Sequence, residues 1–199
     1  MRLPHCQPIP RLPPRVEADQ AMCADPATGQ IHSQLDNDGL AEFLSGLVEA
    51  SRPVIRDWFR SGGTVEWKSD GSPVTRADKA AETALRAAIA DRFPDDAILG
   101  EEHADQLGTG KTGYSWIIDP IDGTRAFVSG RPVFGTLVGL VFENRPVAGL
   151  IDMPMLDECY VAVGGTTLLN GVVITTSDVT RLAQARIATT APEALLTDS

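Results

Sequence analysis

Apolar residues recur along this chain with two different periods, and the switch between them divides it. Leu40, Phe43, Leu44, Leu47 and Val48 fall at i, i+3, i+4, i+7 and i+8, which is one face of a helix. Val54, Ile55, Trp58 and Phe59 continue that face beyond Pro53, which is expected to kink or restart the helix; Gly62-Gly63 is expected to end it. Val65-Glu66-Trp67 reads as a short strand running into a polar loop that carries Lys68. Thr75-Arg76-Ala77-Asp78 then has the form of a capping box, with Thr75 as N-cap and Asp78 three residues on. Ala80, Ala81, Ala84, Leu85, Ala88 and Ile89 supply the apolar stripe of the second helix that follows.

Beyond Phe93-Pro94-Asp95-Asp96, a turn, the pattern shortens to strands. Ala97-Ile98-Leu99 and Trp116-Ile117-Ile118 read as short buried strands, separated by a glycine-rich loop over residues 104–113. Phe134 to Phe142 is a longer apolar run, turned at Glu143 to Pro146 into a return strand, Val147 to Ile151. Cys159 to Val163 alternates, Asn170-Gly171 is a hairpin turn, and Val172 to Thr175 is a short strand. Ser177-Asp178 is expected to start a helix with Leu182 and Ala185 on its inner face, and Ile187 to Thr190 to begin another strand. Residues 1–37 are rich in Pro, Gln, Asp and Ala and show no apolar period. They are expected to form a poorly structured tail, or to reflect where translation was taken to begin, ahead of one folded unit over residues 38–199.

Two strand ends carry the candidate chemistry. The run Trp116-Ile117-Ile118 meets Asp119, and Pro120, which has no N–H, is expected to end regular ladder pairing there. Asp122, Gly123 and Thr124 follow. Two carboxylates three positions apart, with turn N–H groups just downstream, can hold a divalent cation and a phosphate side by side. Asp-Pro and Asp-Gly are also ordinary turn pairs, so the turn alone decides little. Gly100-Glu101-Glu102 adds weight, because a second strand end delivers more carboxylates. His103 reads as a loop residue, since Mg²⁺ prefers oxygen.

Composition sharpens this picture at one point. The 199 residues are 43% hydrophobic and 22% charged, ordinary for one globular domain. The net charge of −10 argues against a nucleic-acid partner. It also opposes an anionic substrate, unless bound cations reverse the local sign. Cys6, Cys23 and Cys159 are scattered, with neither metal-ligand nor disulfide spacing, which suits free thiols in a reducing compartment. No apolar run approaches a membrane span, and Arg2 and Arg11 flank no signal-like apolar stretch. A cytoplasmic protein without a membrane partner is expected.

Gly100-Glu101-Glu102 followed by Trp116 to Thr124 resembles the signature of the inositol monophosphatase family, the Mg²⁺-dependent, lithium-sensitive sugar-phosphate phosphatases. The resemblance runs from about Leu40 to the C-terminus; Arg125 to Thr136 resembles the bacterial histidinol-phosphate phosphatase branch more than the inositol branch. It implies an α+β fold, a layered α/β sandwich of the sugar-phosphatase type. Of this, the chain would supply the N-terminal portion, two long helices on a mostly antiparallel sheet. It also implies two or three Mg²⁺ ions, with Li⁺ inhibiting. Glu101, Asp119 and the backbone carbonyl of Ile121 would hold the first ion, and Asp119 would bridge to a second held by Asp122. Glu101 and Thr124 would orient the attacking water, with Asp78 beside them. Asp122, Gly123, Thr124 and Lys68 would meet the phosphorylated substrate. Asp78 is equally explained as a cap and Lys68 as a solvated loop residue. Glu102 stays outside the set.

Family members continue into a second α/β subdomain, whose Trp-Asp motif completes the second metal site. No Trp-Asp pair follows Thr124 in this sequence, so that subdomain is expected to be largely missing. Exposed apolar strand edges, with poor solubility or a homodimer, are the expected consequence. Three activities follow from the resemblance. The favoured one is hydrolysis of histidinol phosphate to histidinol, a step of histidine biosynthesis. The others are hydrolysis of inositol 1-phosphate or a related sugar phosphate, and a non-catalytic metal-binding remnant. Arg125 and Arg131 would meet a second anionic group or serve as surface charges.

Overall fold

The structure, a computed structural model, describes His32 and residues 34–62, 65–67 and 73–186. Its first element, α1 (Asn37–Trp58), starts where the Asp36 side chain accepts the backbone N–H of Gly39 at 2.8 Å. Leu40, Leu44, Leu47, Val48 and Ile55 form its buried face, as their spacing predicts. The expected break at Pro53 does not occur: α1 is one helix of 22 residues. Pro53 and Glu49, whose carbonyl loses its partner to the proline, both lie on the exposed face, where water replaces the missing bond. The helix also ends before Gly62-Gly63, because Arg60 itself adopts a left-handed φ of 60°.

β1 (Val65–Trp67) and β2 (Pro73–Thr75) form a separate antiparallel pair, of which only the first strand was expected. The capping box at Thr75 opens α2 (Arg76–Arg92) as anticipated, with Thr75 Oγ1 accepting from Ala77 N and Asp78 N. The remaining strands are β3 (Ala97–Gly100), β4 (Tyr114–Asp122), β5 (Gly135–Phe142), β6 (Arg145–Met153), β7 (Glu158–Val163), β8 (Thr166–Leu169) and β9 (Val172–Ile174). They lie side by side in chain order as one sheet, antiparallel throughout except for the parallel pair β3–β4. Local hairpins explain that order. Glu143-Asn144 and Asn170-Gly171 both take two successive positive φ values, the twist that tight hairpins require. A five-residue helix, α3 (Thr124–Val128), follows β4.

Both long helices pack on one face of the sheet. Trp116, Ile118, Val138, Leu140, Leu150, Val161 and Leu168 point into that layer with Leu40, Leu44, Leu47, Leu85, Ile89 and Phe93. The architecture is therefore the α+β arrangement, two long helices on a mostly antiparallel sheet, that the resemblance implies. The opposite face is apolar too: Ile117 and Ile151 are each 49% exposed there, and at the edge strand β9 Val172 is 66% exposed. At residues 177–185 the expected helix is absent. Only a single 3₁₀ turn forms, Leu182–Gln184, with Leu182 77% exposed. Among the described residues no surface covers that apolar face, so nothing there offsets the cost of helix nucleation. The strand expected at 187–190 lies outside the described residues. Among the described residues no helix is long and apolar enough to cross a membrane.

Candidate active site

The candidate site forms where β3 and β4, parallel neighbours, both end. Their register sets Gly100 beside Ile118, so Glu101 emerges next to Asp119. Pro120 does interrupt the ladder, but pairing resumes at once: Asp119 faces Leu137 and Asp122 faces Gly135, with a bulge between. The strand thus runs two residues past its expected end at the proline. The buried Thr136 hydroxyl makes the bulge possible by donating to the Pro120 carbonyl at 2.8 Å. Ile121 turns inward, 1% exposed, into a second apolar cluster with Ile55, Ala77, Ala81, Phe127 and Phe134. Its anchored side chain leaves its carbonyl at the site, where Thr124 Oγ1 donates to it at 3.0 Å. Gly123 caps α3 with φ 89°, a conformation that a side chain would strain. The Ala126 and Phe127 N–H groups donate to the Gly123 carbonyl at 2.7 and 3.2 Å, while those of Gly123 and Thr124, ahead of them, have no acceptor within the helix.

Asp119 is half-buried, and among the described residues its Oδ1 has no hydrogen-bond partner. Burial, then the charges of Glu101 and Asp122, push its carboxyl up to about 7, and it shares a hydrogen bond with Glu101. Glu101 and Asp122 thus both lie within electrostatic reach of Asp119. Among the described residues, however, no group of three or more His, Cys, Asp and Glu side chains is placed so as to hold a metal ion. An orphaned carboxylate oxygen among repelling acids is the signature of a position suited to a cation. The donor set, carboxylates and a carbonyl, fits a hard ion such as Mg²⁺.

Asp78 is the cap expected at this helix start, and it also reaches Thr124. Its Oδ2 accepts the Thr75 N–H at 2.8 Å as a cap, while its Oδ1 accepts from Thr124 Oγ1 at 3.4 Å. Burial raises its pKa against the bonds from Thr75 and Thr124. Lys68 lies outside the described residues. Sequence reasoning missed Glu82, which is fully buried one helical turn beyond Asp78. The available signal was an acidic residue inside the stripe formed by Ala81 and Leu85.

Residues 36–194 match the model of the inositol monophosphatase family. The bifunctional phosphatase IMPL2, chloroplastic, of Arabidopsis thaliana is 42% identical over 161 residues, covering 80% of this chain and 46% of that protein. A histidinol-phosphatase of Chlorobaculum parvum is 38% identical over 152 residues, 75% of this chain and 58% of that one. Among solved structures, an inositol monophosphatase from Zymomonas mobilis superposes with a TM-score of 0.59 at 40% identity, covering 72% of this chain and 55% of its own. The chain spans about half the length of the curated relatives it matches. On sequence and fold alike, it belongs to the inositol monophosphatase family.

Proposed function

We propose that this chain carries the water-activating half of a Mg²⁺-dependent phosphate monoesterase. The observation that carries the reading is the unpartnered Asp119 Oδ1 beside Glu101 and Asp122. Glu101, Asp119, the Ile121 carbonyl and Asp122 would hold two or three Mg²⁺ ions. Such ions, when bound, supply Lewis-acid polarisation of the phosphoryl group and make water a competent nucleophile near neutral pH. The protein's own part is placement. Asp119 changes from a proton-sharing acid to an ionised ligand, so cations and protons compete for it. Thr124, held by the Ile121 carbonyl and Asp78, keeps its hydroxyl oxygen facing the attacking water together with Glu101. The N–H groups of Gly123 and Thr124, with Asp122, orient the phosphate, and Lys68 adds positive charge. Such positioning and charge stabilisation suffice for phosphoryl transfer without a covalent phosphoenzyme.

Histidinol phosphate is the favoured ester. Its support is the Arg125–Thr136 stretch and the likeness to a histidinol-phosphatase. A panel containing histidinol phosphate and inositol 1-phosphate tests this through Mg²⁺-dependent phosphate release. Faster release from inositol 1-phosphate overturns the choice of substrate, and undiminished release by Asp119→Asn overturns the site.

A further inference from the structure

We infer that Glu82, backed by Arg86, is the positioning residue for Glu101. The inference rests on the proposed role of Glu101 as a cation ligand. Glu82 is fully buried on α2, beneath the turn that carries Glu101. A buried carboxylate is costly unless each oxygen is satisfied, and here each is. Oε1 receives Arg86 Nε at 2.7 Å and Oε2 receives the backbone N–H of Glu102 at 2.7 Å. His103 Nδ1 lies 3.4 Å from Oε1. Arg86 continues the clamp through its other nitrogens, donating to the Ile98 carbonyl at 3.2 Å and to the His103 carbonyl at 3.4 Å. The pair therefore grips the chain on both sides of Glu101, while the Glu101 side chain reaches out to Asp119.

Gly100 is what lets the clamp close. A Cβ at that position would stand 2.0 Å from Glu82 Oε1 and 2.7 Å from an Arg86 nitrogen. The glycine that begins Gly100-Glu101-Glu102 is thus required by the carboxylate below it, not by its backbone angles. This gives α2 two inputs to the site from one face: Asp78 steadies Thr124, and Glu82, one turn on, steadies Glu101. Glue between helix and strand would need neither a charge aimed at the Glu102 N–H nor a glycine cut to fit it.

The experiment pairs Glu82→Gln with Gly100→Ala, which displaces the clamp while leaving every charge in place. Amide hydrogen exchange at Glu102 reads the clamp, and calorimetric Mg²⁺ titration of the 199-residue chain reads the consequence. The expected result is faster Glu102 exchange and a loss of roughly 10- to 100-fold in Mg²⁺ affinity in both variants, the usual cost of removing a partner behind a metal ligand. Faster exchange with Mg²⁺ affinity unchanged overturns the positioning role and leaves the metal reading standing. Unchanged exchange overturns the clamp itself. A parent chain that shows no saturable Mg²⁺ binding overturns the metal reading, and the inference with it. Asp96→Asn, far from the site, controls for destabilisation alone, since it should lower stability without moving Mg²⁺ affinity.

Discussion

Asp96 and Asp119 stand at opposite ends of the β3–β4 pair, and each has an Oδ1 with no hydrogen-bond partner among the described residues. Their carboxyls nevertheless shift in opposite directions. At Asp96, burial pushes upward, but hydrogen bonds from His32, Trp116 and Thr112 outweigh it and hold the group below the usual carboxylate range. The Trp116 indole donates to Oδ2 at 2.9 Å, and His32 Nε2 lies 3.1 Å from the same oxygen. His32 Nδ1 accepts the Gln34 N–H, so the ring proton sits on Nε2 and faces the aspartate. At Asp119 burial acts in the same sense, but the neighbours are Glu101 and Asp122, and the group rises to about 7. Burial does not separate a structural acid from a functional one; the sign of its neighbours does. Donors around Asp96 complete a core, whereas acids around Asp119 leave a deficit that a cation would fill.

The largest effect should come from taking the frustrated acid away. Asp119→Asn is expected to cut Mg²⁺-dependent phosphate release by at least about 10³-fold, because several kcal/mol of charge stabilisation pass through that carboxylate. The same change should leave metal-free stability intact or raise it, as it relieves repulsion from Glu101 and Asp122. A fall in both activity and stability would make Asp119 a structural acid like Asp96 and erase the contrast.

The converse change is next in size. Asp96→Ala removes the buried acceptor of His32 and Trp116, among its donors, and should cost about 3 kcal/mol or more in urea unfolding, at roughly 1.5–3 kcal/mol for each charge-assisted bond. Mg²⁺ affinity should not move. If it falls, the two ends of the strand pair communicate and cannot be treated as separate regions.

This contrast also marks what could be read in advance. The capping box at Thr75 and Asp78, the helical face from Leu40 to Ile55 and the strands from Ala97 to Ile174, β8 excepted, were legible because local spacing dictates them. Glu101, Asp119 and Asp122 stood out because each comes at or near a recognisable strand end. The Asp96 network was not: its histidine lies 64 residues away, in a segment whose composition suggested no structure. Glu82 was equally hidden, since its burial depends on Gly100 and on the Glu102 N–H across the fold. Proline at 53 and the apolar residues near Leu182 misled for one reason. Local preference was weighed without knowing which side faced solvent and whether a partner surface existed.

The opposite pKa shifts predict opposite pH slopes. Asp119 keeps its proton in the metal-free folded state up to about 7, well above its ordinary value of 3.8. The folded state therefore binds more protons between those limits, and this stability contribution is lost as pH climbs through about 7. Asp96 has the reverse sign: its contribution is present above the ordinary carboxylate range and is lost as pH falls through its lowered value. Chemical unfolding of the parent and of Asp119→Asn, both without metal, should give curves that diverge between about pH 4 and pH 7 and run parallel above it. Excess Mg²⁺ should stabilise the parent more at pH 8 than at pH 6, because fewer protons compete for Asp119. Curves that stay parallel throughout would mean that Asp119 titrates as an ordinary carboxyl.

The smallest expected effect isolates the geometry that keeps the acid end open. Thr136 is fully buried, and its hydroxyl donates to the Pro120 carbonyl inside the bulge that separates Asp119 from Asp122. Thr136→Val keeps the shape and removes one neutral hydrogen bond, leaving the carbonyl unsatisfied, for a cost of about 1 kcal/mol. If the bulge holds Asp119 and Asp122 at their spacing, the variant should also bind Mg²⁺ more weakly, by a few-fold. The bonds at Asp96, on the far side of the sheet's buried tryptophan, should be untouched, so the indole N–H resonance of Trp116 should keep its chemical shift. A moved Trp116 resonance with unchanged Mg²⁺ binding would place the effect of Thr136 in the core, and the spacing of the two acids would then have to come from Pro120 and the anchored Ile121 alone.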